Sequence, residues 1–153
     1  MSILRTLLLT ASAGSLLAQT EFLKPAGIAP ANGYSHVVVT RPDKLIFIAG
    51  QVANNPKGEV VGKGDLKAQT EQVFQNLKTA LAAAGASFDN VVKLNLYVKG
   101  YKEESRAVIR EIRNKYINTT NPPASTLIGV AALALDDYLI EIEAVAAVVE
   151  KRR

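Results

Sequence analysis

The segment Leu-Ile-Glu-Ile-Glu-Ala-Val-Ala-Ala-Val-Val, residues 139–149, alternates along its length and predicts a β-strand, because successive strand side chains point to opposite faces. Glu141 and Glu143 share one face of this strand, amid apolar neighbours. A carboxylate is costly to bury unpaired, so each is expected at the surface, in an ion pair or in a functional site. The segment Ala-Ser-Thr-Leu-Ile-Gly-Val, residues 124–130, alternates in the same way and predicts a preceding strand.

The composition is that of one ordinary globular domain. The chain has 153 residues, 48% hydrophobic and 21% charged, which suffices for one hydrophobic core. The absence of cysteine excludes disulfides, thiolate metal sites and cysteine nucleophiles. A single histidine, His36, gives little support to a metal centre or a catalytic triad, so no metal or other cofactor is expected. The net charge of +4 comes without a dense basic run, so no nucleic-acid partner is predicted.

Residues 1–18 have the composition of a secretory signal peptide. Arg5 precedes a short apolar stretch, and Ala18 is a small residue suited to cleavage. We therefore expect a mature domain of residues 19–153, periplasmic or secreted, without membrane contact after processing. The alternative is an N-terminal tail on a cytoplasmic protein. Mass spectrometry of natively expressed protein tests the expectation, and an uncleaved Met1 would contradict it.

The next part of the chain predicts an irregular arm followed by a β-hairpin. Proline and glycine punctuate residues 20–32, which is typical of irregular structure. Residues 34–40 and 45–50 are rich in β-branched and apolar side chains, and a turn through residues 41–44 connects them. We expect these two strands to pair with each other.

Two amphipathic helices are predicted after the hairpin. The first spans residues 66–84 with Asp65 as its N-cap, and its apolar stripe is expected to lie on a sheet. Its polar residues are expected at flanking or outer positions: Gln69, Gln72 and Asn76. The second helix spans residues 103–116. Its arginines share the opposite face, which we expect to be solvated: Arg106, Arg110 and Arg113.

A strand at residues 91–99 and the two terminal strands complete the order β-β-α-β-α-β-β. This order predicts a two-layer α+β domain in which the helices cover one face of a single sheet. The other face carries apolar side chains, including Tyr97, Leu139 and Val145. An exposed patch of this kind indicates self-association.

Several short blocks occur in an order that resembles the RidA/YjgF/YER057c-like family of reactive intermediate imine deaminases. Together they extend over about residues 22–149, and they include Gly33-Tyr34-Ser35, Ile48-Ala49-Gly50-Gln51, Pro123-Ala124-Ser125-Thr126 and Ile140-Glu141-Ile142-Glu143. The resemblance implies a chorismate-mutase-like fold, a homotrimer, and small-molecule clefts between neighbouring subunits. It also implies hydrolysis of an enamine or imine to a carbonyl compound and ammonia.

The same resemblance implies roles for individual residues. Glu141 would be catalytic, orienting and polarising a water. The substrate-binding residues would be Tyr34, Gly50, Tyr97, Ser125, Thr126 and Leu127. Deaminating members carry an arginine after the Pro-Ala block, where its guanidinium fork binds the substrate carboxylate, but this chain has Ser125 there. Lys93 or an arginine of a neighbouring subunit could supply the missing cation.

Two functions therefore remain open. The first is an atypical RidA-like hydrolase that lacks the usual carboxylate contact. The second is a non-catalytic trimer that binds a small molecule in the same clefts. RNA cleavage has also been attached to this family, but the chain has neither a histidine pair nor a dense basic track to support it.

Overall fold

The computed structural model describes residues 20–149, within which a mixed α+β domain is formed. Its elements, in chain order, are β1 (Glu21–Leu23), β2 (Val37–Val39), β3 (Lys44–Gln51), α1 (Leu66–Ala83), β4 (Val91–Lys99), α2 (Glu103–Arg113), β5 (Ala124–Val130) and β6 (Ile140–Val148). The α+β class predicted from the sequence is confirmed. The predicted signal peptide, residues 1–18, lies outside the described residues. Within residues 20–149, no helix has the length and apolar character needed to cross a membrane.

A four-stranded sheet in the order β3-β6-β4-β5 forms one layer. β6 is antiparallel to both of its neighbours, and β5 is parallel to β4. Helix α2 connects β4 to β5, as expected, because parallel neighbours need a crossover connection. The predicted alternation in β6 is confirmed, since Ile140, Ile142 and Ala146 are fully buried on the side of the sheet that packs against the helices.

The predicted hairpin between residues 34–40 and 45–50 is wrong. β2 pairs with β1, which lies in the segment predicted to be irregular, and β3 pairs with β6. The last two strands are not neighbours either, because β4 lies between them. Pairing β3 with β6 buries Ile46 in the main core, and an isolated two-stranded hairpin could not provide that burial.

Helix α1 begins at the predicted residue and ends at Ala83, one residue before the predicted end. The Asp65 side chain accepts hydrogen bonds from the backbone N–H groups of Lys67 at 2.9 Å and Ala68 at 3.0 Å. Past the other end, Gly85 has φ of +71°, and the Ala86 N–H donates back to the Leu81 carbonyl. The apolar stripe of the helix is fully buried: Val73, Phe74, Leu77 and Leu81.

The expectation that the polar residues of α1 lie outside is wrong for Gln69, which is fully buried. Its Nε2 donates to the carbonyls of Gly62 at 3.2 Å and Asp137 at 2.7 Å, and its Oε1 accepts from the Leu139 N–H at 2.8 Å. Burial is tolerated because these hydrogen bonds satisfy the amide group. Gln69 thereby holds the segment that leads into β6 against α1.

Tyr116, which follows α2, is predicted to make stability depend on alkaline pH. Burial, followed by the hydrogen bond that its hydroxyl donates to Glu71, raises the pKa of Tyr116 to about 12. The unfolded value is about 10, so this contribution is complete below about pH 10 and is lost as pH rises to about 12. Melting temperatures measured from pH 9 to 12 should fall less steeply for Tyr116→Phe than for wild type. Parallel curves would contradict this assignment.

Candidate functional site

A cavity of about 300 Å³ lies between α2, the segment of residues 24–36 before β2, and the strands β4 and β5. We call this segment the arm, and we call the cavity the arginine cavity. Tyr34 lines it from the arm, and Ser125 and Leu127 line it from β5. These β5 side chains lie on the helix side of the sheet because they pair with the buried Leu94 and Leu96. Three residues that the family resemblance implies for substrate binding thus share one cavity.

The arm is attached to the start of β5 by two hydrogen bonds of Ser35. Its N–H donates to the Pro123 carbonyl at 3.1 Å, and its hydroxyl donates to the Pro122 carbonyl at 2.6 Å. Because Ser35 directly follows Tyr34, this attachment holds the tyrosine beside Ser125. The contact closes one wall of the arginine cavity.

The arginines of α2 also line this cavity: Arg106, Arg110 and Arg113. The expectation that they are all solvated is wrong, since Arg113 is only 9% exposed and Arg110 is half-buried. Four residues of helix amount to about 400°, so Arg113 lies only about 40° around the axis from the buried Ile109. The four-residue spacing between Ile109 and Arg113 indicates in the sequence itself that Arg113 borders the apolar stripe.

Arg113 is the most unusual of the three. Its Nε is buried without a hydrogen-bond partner, and its Nη2 donates to Asn114 Oδ1 at 3.3 Å. Burial, and then the neighbouring positive charge of Arg110, lower the pKa of Arg113. In residues 20–149, no salt bridge joins any of the three arginines to a carboxylate. The cavity therefore has an uncompensated positive charge.

The opposite face of the sheet, which no helix within residues 20–149 covers, carries the acidic residues; we call it the open face. Glu143 accepts hydrogen bonds from Asn95 Nδ2 at 2.5 Å and from the Tyr97 hydroxyl at 3.0 Å. The hydrogen bond to Glu143, followed by burial, raises the pKa of Tyr97. Glu143 is thus engaged in holding two neighbouring side chains.

Glu141 lies on the same face and is directly opposite Tyr97 in the strand register. Its side chain packs against Gly50, where β3 has an irregularity in its pairing with β6. A Cβ at position 50 would lie 1.8 Å from Glu141 Oε1, so a larger residue there would displace this carboxylate from its position. Half-buried Glu141 accepts no hydrogen bond from the described part of the chain, which leaves its carboxylate available.

Within one chain, Lys93 is not placed to replace the arginine that the resemblance implies at position 125. Its Nζ donates to Thr126 Oγ1 at 2.7 Å on the open face, whereas Ser125 faces the helices. Within one chain, Lys93 and Ser125 are therefore on opposite sides of the sheet. The alternative that sequence reasoning missed is the set of α2 arginines of the same chain.

The predicted site residues thus fall into two groups on opposite faces of one sheet. Tyr34, Ser125 and Leu127 line the arginine cavity. The open face carries the others: Gly50, Tyr97, Thr126 and Glu141. No side chain spans a packed sheet, so one chain does not assemble both groups into a single site. Among residues 20–149, no cluster of three or more potential ligands is placed to bind a metal ion.

Comparison with known proteins gives the family. The family model described as Endoribonuclease L-PSP matches residues 25–148. A RutC family protein of Pyrococcus horikoshii is 39% identical over 118 residues, which cover 76% of this chain and 88% of the relative. The crystal structure of the Rid-family protein YyfB from Yersinia pestis superimposes with a TM-score of 0.76 at 40% identity, covering 84% of this chain and 98% of that one.

A second solved structure, RidA from a Psychrobacter species, superimposes with a TM-score of 0.61 at 31% identity, covering 78% and 92% of the two chains. The matched region includes both groups of candidate residues, from Tyr34 to Glu141. The ordered sequence blocks, the α+β topology and these similarities agree with one another. The chain belongs to the RidA/YjgF family, the Rid proteins whose family model is described as Endoribonuclease L-PSP.

Proposed function

We propose that the protein hydrolyses a reactive imine or enamine and releases ammonia. In the imine case, the oxygen of water bonds to the imine carbon, the carbon–nitrogen bond breaks, and nitrogen leaves as ammonia while a carbonyl compound remains. An enamine first takes a proton on carbon and loses one from nitrogen, which gives the imine. Water is the sole co-reactant, so the reaction needs no cofactor or redox partner.

The observation that carries this proposal is the available carboxylate of Glu141, held against Gly50 in a chain of this family. A carboxylate that accepts no hydrogen bond from its own chain can take a proton from water as that water attacks carbon. Tyr97 and Thr126 occupy the same face and would contact substrate. Tyr34, Ser125 and Leu127 would bind the rest of the molecule from the arginine cavity.

The proposed site is shared between subunits of a homotrimer. Large apolar side chains on the open face are strongly exposed in the single chain, with Phe47 at 76%, Leu45 at 52% and Ile128 at 46%. Such a patch is typical of a surface that another chain covers. We propose that the open face of one subunit meets the β5 edge of the next, which would bring Glu141 of one subunit to the arginine cavity of its neighbour. Analytical ultracentrifugation should find a trimer, and a single subunit would contradict this assembly.

Ammonia release tests the hydrolase proposal directly. Imines generated freshly from a panel of amino acids should lose ammonia faster with the protein than with a heat-inactivated sample. The spontaneous rate sets the baseline, because imines also hydrolyse in water alone. A rate equal to that baseline across the panel would contradict the proposal.

Non-catalytic binding of a small molecule is the second candidate, and Ser125 favours it. The resemblance implies an arginine at this position, and losing a charge-assisted contact costs about 1.5–3 kcal/mol, roughly ten- to a hundredfold in affinity. A ligand that raises the melting temperature without ammonia release would support this candidate. Labelled RNA belongs in the same experiments because of the family model's description, and we expect it to remain uncleaved.

A further inference from the structure

We propose that the arginine cavity binds a small organic dicarboxylate through Arg113, Arg110 and Arg106. For turnover, this inference rests on the proposed function, because the substrate would then be the imine or enamine of an amino acid with an acidic side chain. Binding itself is independent of turnover. The cation that the family resemblance implies on β5 would instead come from helix α2.

The burial of Arg113 is the first argument. Arg113 is only 9% exposed, and its Nε needs an acceptor that residues 20–149 do not supply. Gly33, with φ of +82°, packs closely on it: a Cβ there would lie 2.8 Å from Arg113 Nη2. The arm thus approaches the guanidinium through a residue without a side chain, and the one acceptor it supplies is the Asn32 carbonyl, which accepts from Arg110 Nη2 at 3.3 Å.

The charge of the cavity is the second argument. Its lining residues include three arginines and no aspartate or glutamate. The nearest acidic residues of α2 are on its outer side, where Glu103, Glu104 and Glu111 line a separate hollow together with Arg106 and Arg110. Glu111 is also paired there with Lys67 at 2.9 Å. An anion with two charges compensates this cavity better than a monocarboxylate does.

Size and shape favour a dicarboxylate. The volume of about 300 Å³ is at the small end of the range for ligand pockets, about 300–1,000 Å³, which suits a short diacid. Guanidinium forks bind carboxylates through two parallel hydrogen bonds. The apolar Leu96, Ile109 and Leu127 can contact the carbon chain between the acid groups. The hydroxyls of Tyr34 and Ser125 can donate to a remaining oxygen.

Calorimetric titration with succinate, propionate and inorganic phosphate at constant ionic strength tests the inference. We expect succinate to bind about tenfold or more tightly than propionate. Arg113→Met and Arg110→Gln should each weaken succinate binding about ten- to a hundredfold. Arg41→Gln is the matched control, because Arg41 is an exposed arginine outside the cavity, and its affinity should equal that of wild type.

Arg113→Met is expected to fold, because methionine is apolar, similar in length, and removes an uncompensated buried charge. Its melting temperature without added anion should equal or exceed that of wild type. Arg110→Gln, at a half-buried position, gives a second reading. Equal affinities for succinate and propionate, a preference for phosphate, or unchanged succinate binding in both cavity variants would overturn the inference. So would an equal loss in Arg41→Gln, which would indicate a bulk charge effect.

The two proposals can fail separately. Tight succinate binding without ammonia release from any imine would reject hydrolysis and leave the dicarboxylate site standing. Turnover of monocarboxylate imines, with no succinate binding, would reject the dicarboxylate site and leave hydrolysis standing. If both hold, imines of acidic amino acids should show the lowest KM in the panel, and Arg113→Met should raise that KM more than it changes kcat.

Discussion

Glu141→Gln should lower kcat for imine hydrolysis by about 10²- to 10⁴-fold, the range expected when a general base is removed. Glutamine keeps the shape of the side chain but cannot accept a proton from water. No hydrogen bond within the described part of the chain depends on this carboxylate, so the melting temperature should change little. Initial rates of ammonia release, measured beside a melting curve, check both statements.

Glu143→Gln is the matched control for this experiment. It removes the same charge from the same face of β6, two residues away, at a carboxylate held by Asn95 and Tyr97. We expect turnover within about tenfold of wild type, because at most the strength of two hydrogen bonds is altered. Equal rates for wild type and Glu141→Gln would remove Glu141 from the mechanism.

Gly50→Ala should reproduce part of the Glu141 effect from the other side of the contact. The new Cβ would lie 1.8 Å from Glu141 Oε1 and 2.7 Å from its Cδ, so the carboxylate must move. Crowding of this kind should lower the free energy of unfolding by about 1–3 kcal/mol, which urea unfolding measures. In a Glu141→Ala background, Gly50→Ala should leave the free energy of unfolding almost unchanged, because the obstructing side chain is absent. An equal cost in both backgrounds would show that the backbone at position 50, rather than Glu141, requires glycine.

Phe74→Ala should lower the free energy of unfolding by about 3–5 kcal/mol, the range for removing a buried aromatic ring. Phe74 is fully buried in α1, stacks on Tyr116 with 5.1 Å between ring centroids, and lies 5.8 Å from the Phe88 ring. The cavity left behind cannot close fully, because α1, α2 and the turn before β4 meet there. Urea unfolding of the variant should show this loss as a lower midpoint.

Lys78→Ala is the control for the helix itself. Lys78 is exposed on the same helix, so its replacement should change stability by no more than about 0.5 kcal/mol. A loss below 1 kcal/mol in Phe74→Ala would indicate that the aromatic cluster contributes less than its burial implies. A similar large loss in both variants would attribute the effect to helix propensity rather than to packing.

Local periodicity was sufficient to predict most elements. The alternation of residues 139–149 and the spacing of Val73, Leu77 and Leu81 report which face of an element meets the core, and that information is contained in the neighbouring sequence. Strand partners are not encoded in this way. β3 pairs with β6, about a hundred residues away in sequence, rather than with the adjacent β2, because burial of Ile46 depends on the whole sheet.

For the candidate site as well, individual residues could be predicted from the sequence, but their arrangement in space could not. The resemblance supplied Tyr34, Ser125, Leu127 and Glu141 one by one, but only the strand register shows that they occupy opposite faces. The burial of Arg113 and the partial burial of Arg110 were missed because the rotation of α2 about its axis is set by tertiary packing. A stripe of arginine beside isoleucine is consistent with solvent or with a cavity until the arm is placed against it.

The placement of the two residue groups on opposite sides of β4, β5 and β6 has a consequence for mixed assemblies. If each working site takes its acid from the adjacent protomer, two separately impaired variants can restore each other's activity. Co-refolding Glu141→Gln with Arg113→Met in equal amounts would then create about a quarter of sites with every group intact. A rate of ammonia release in the mixture that exceeds the rate of either variant alone would show that the two residue groups of one site come from different subunits.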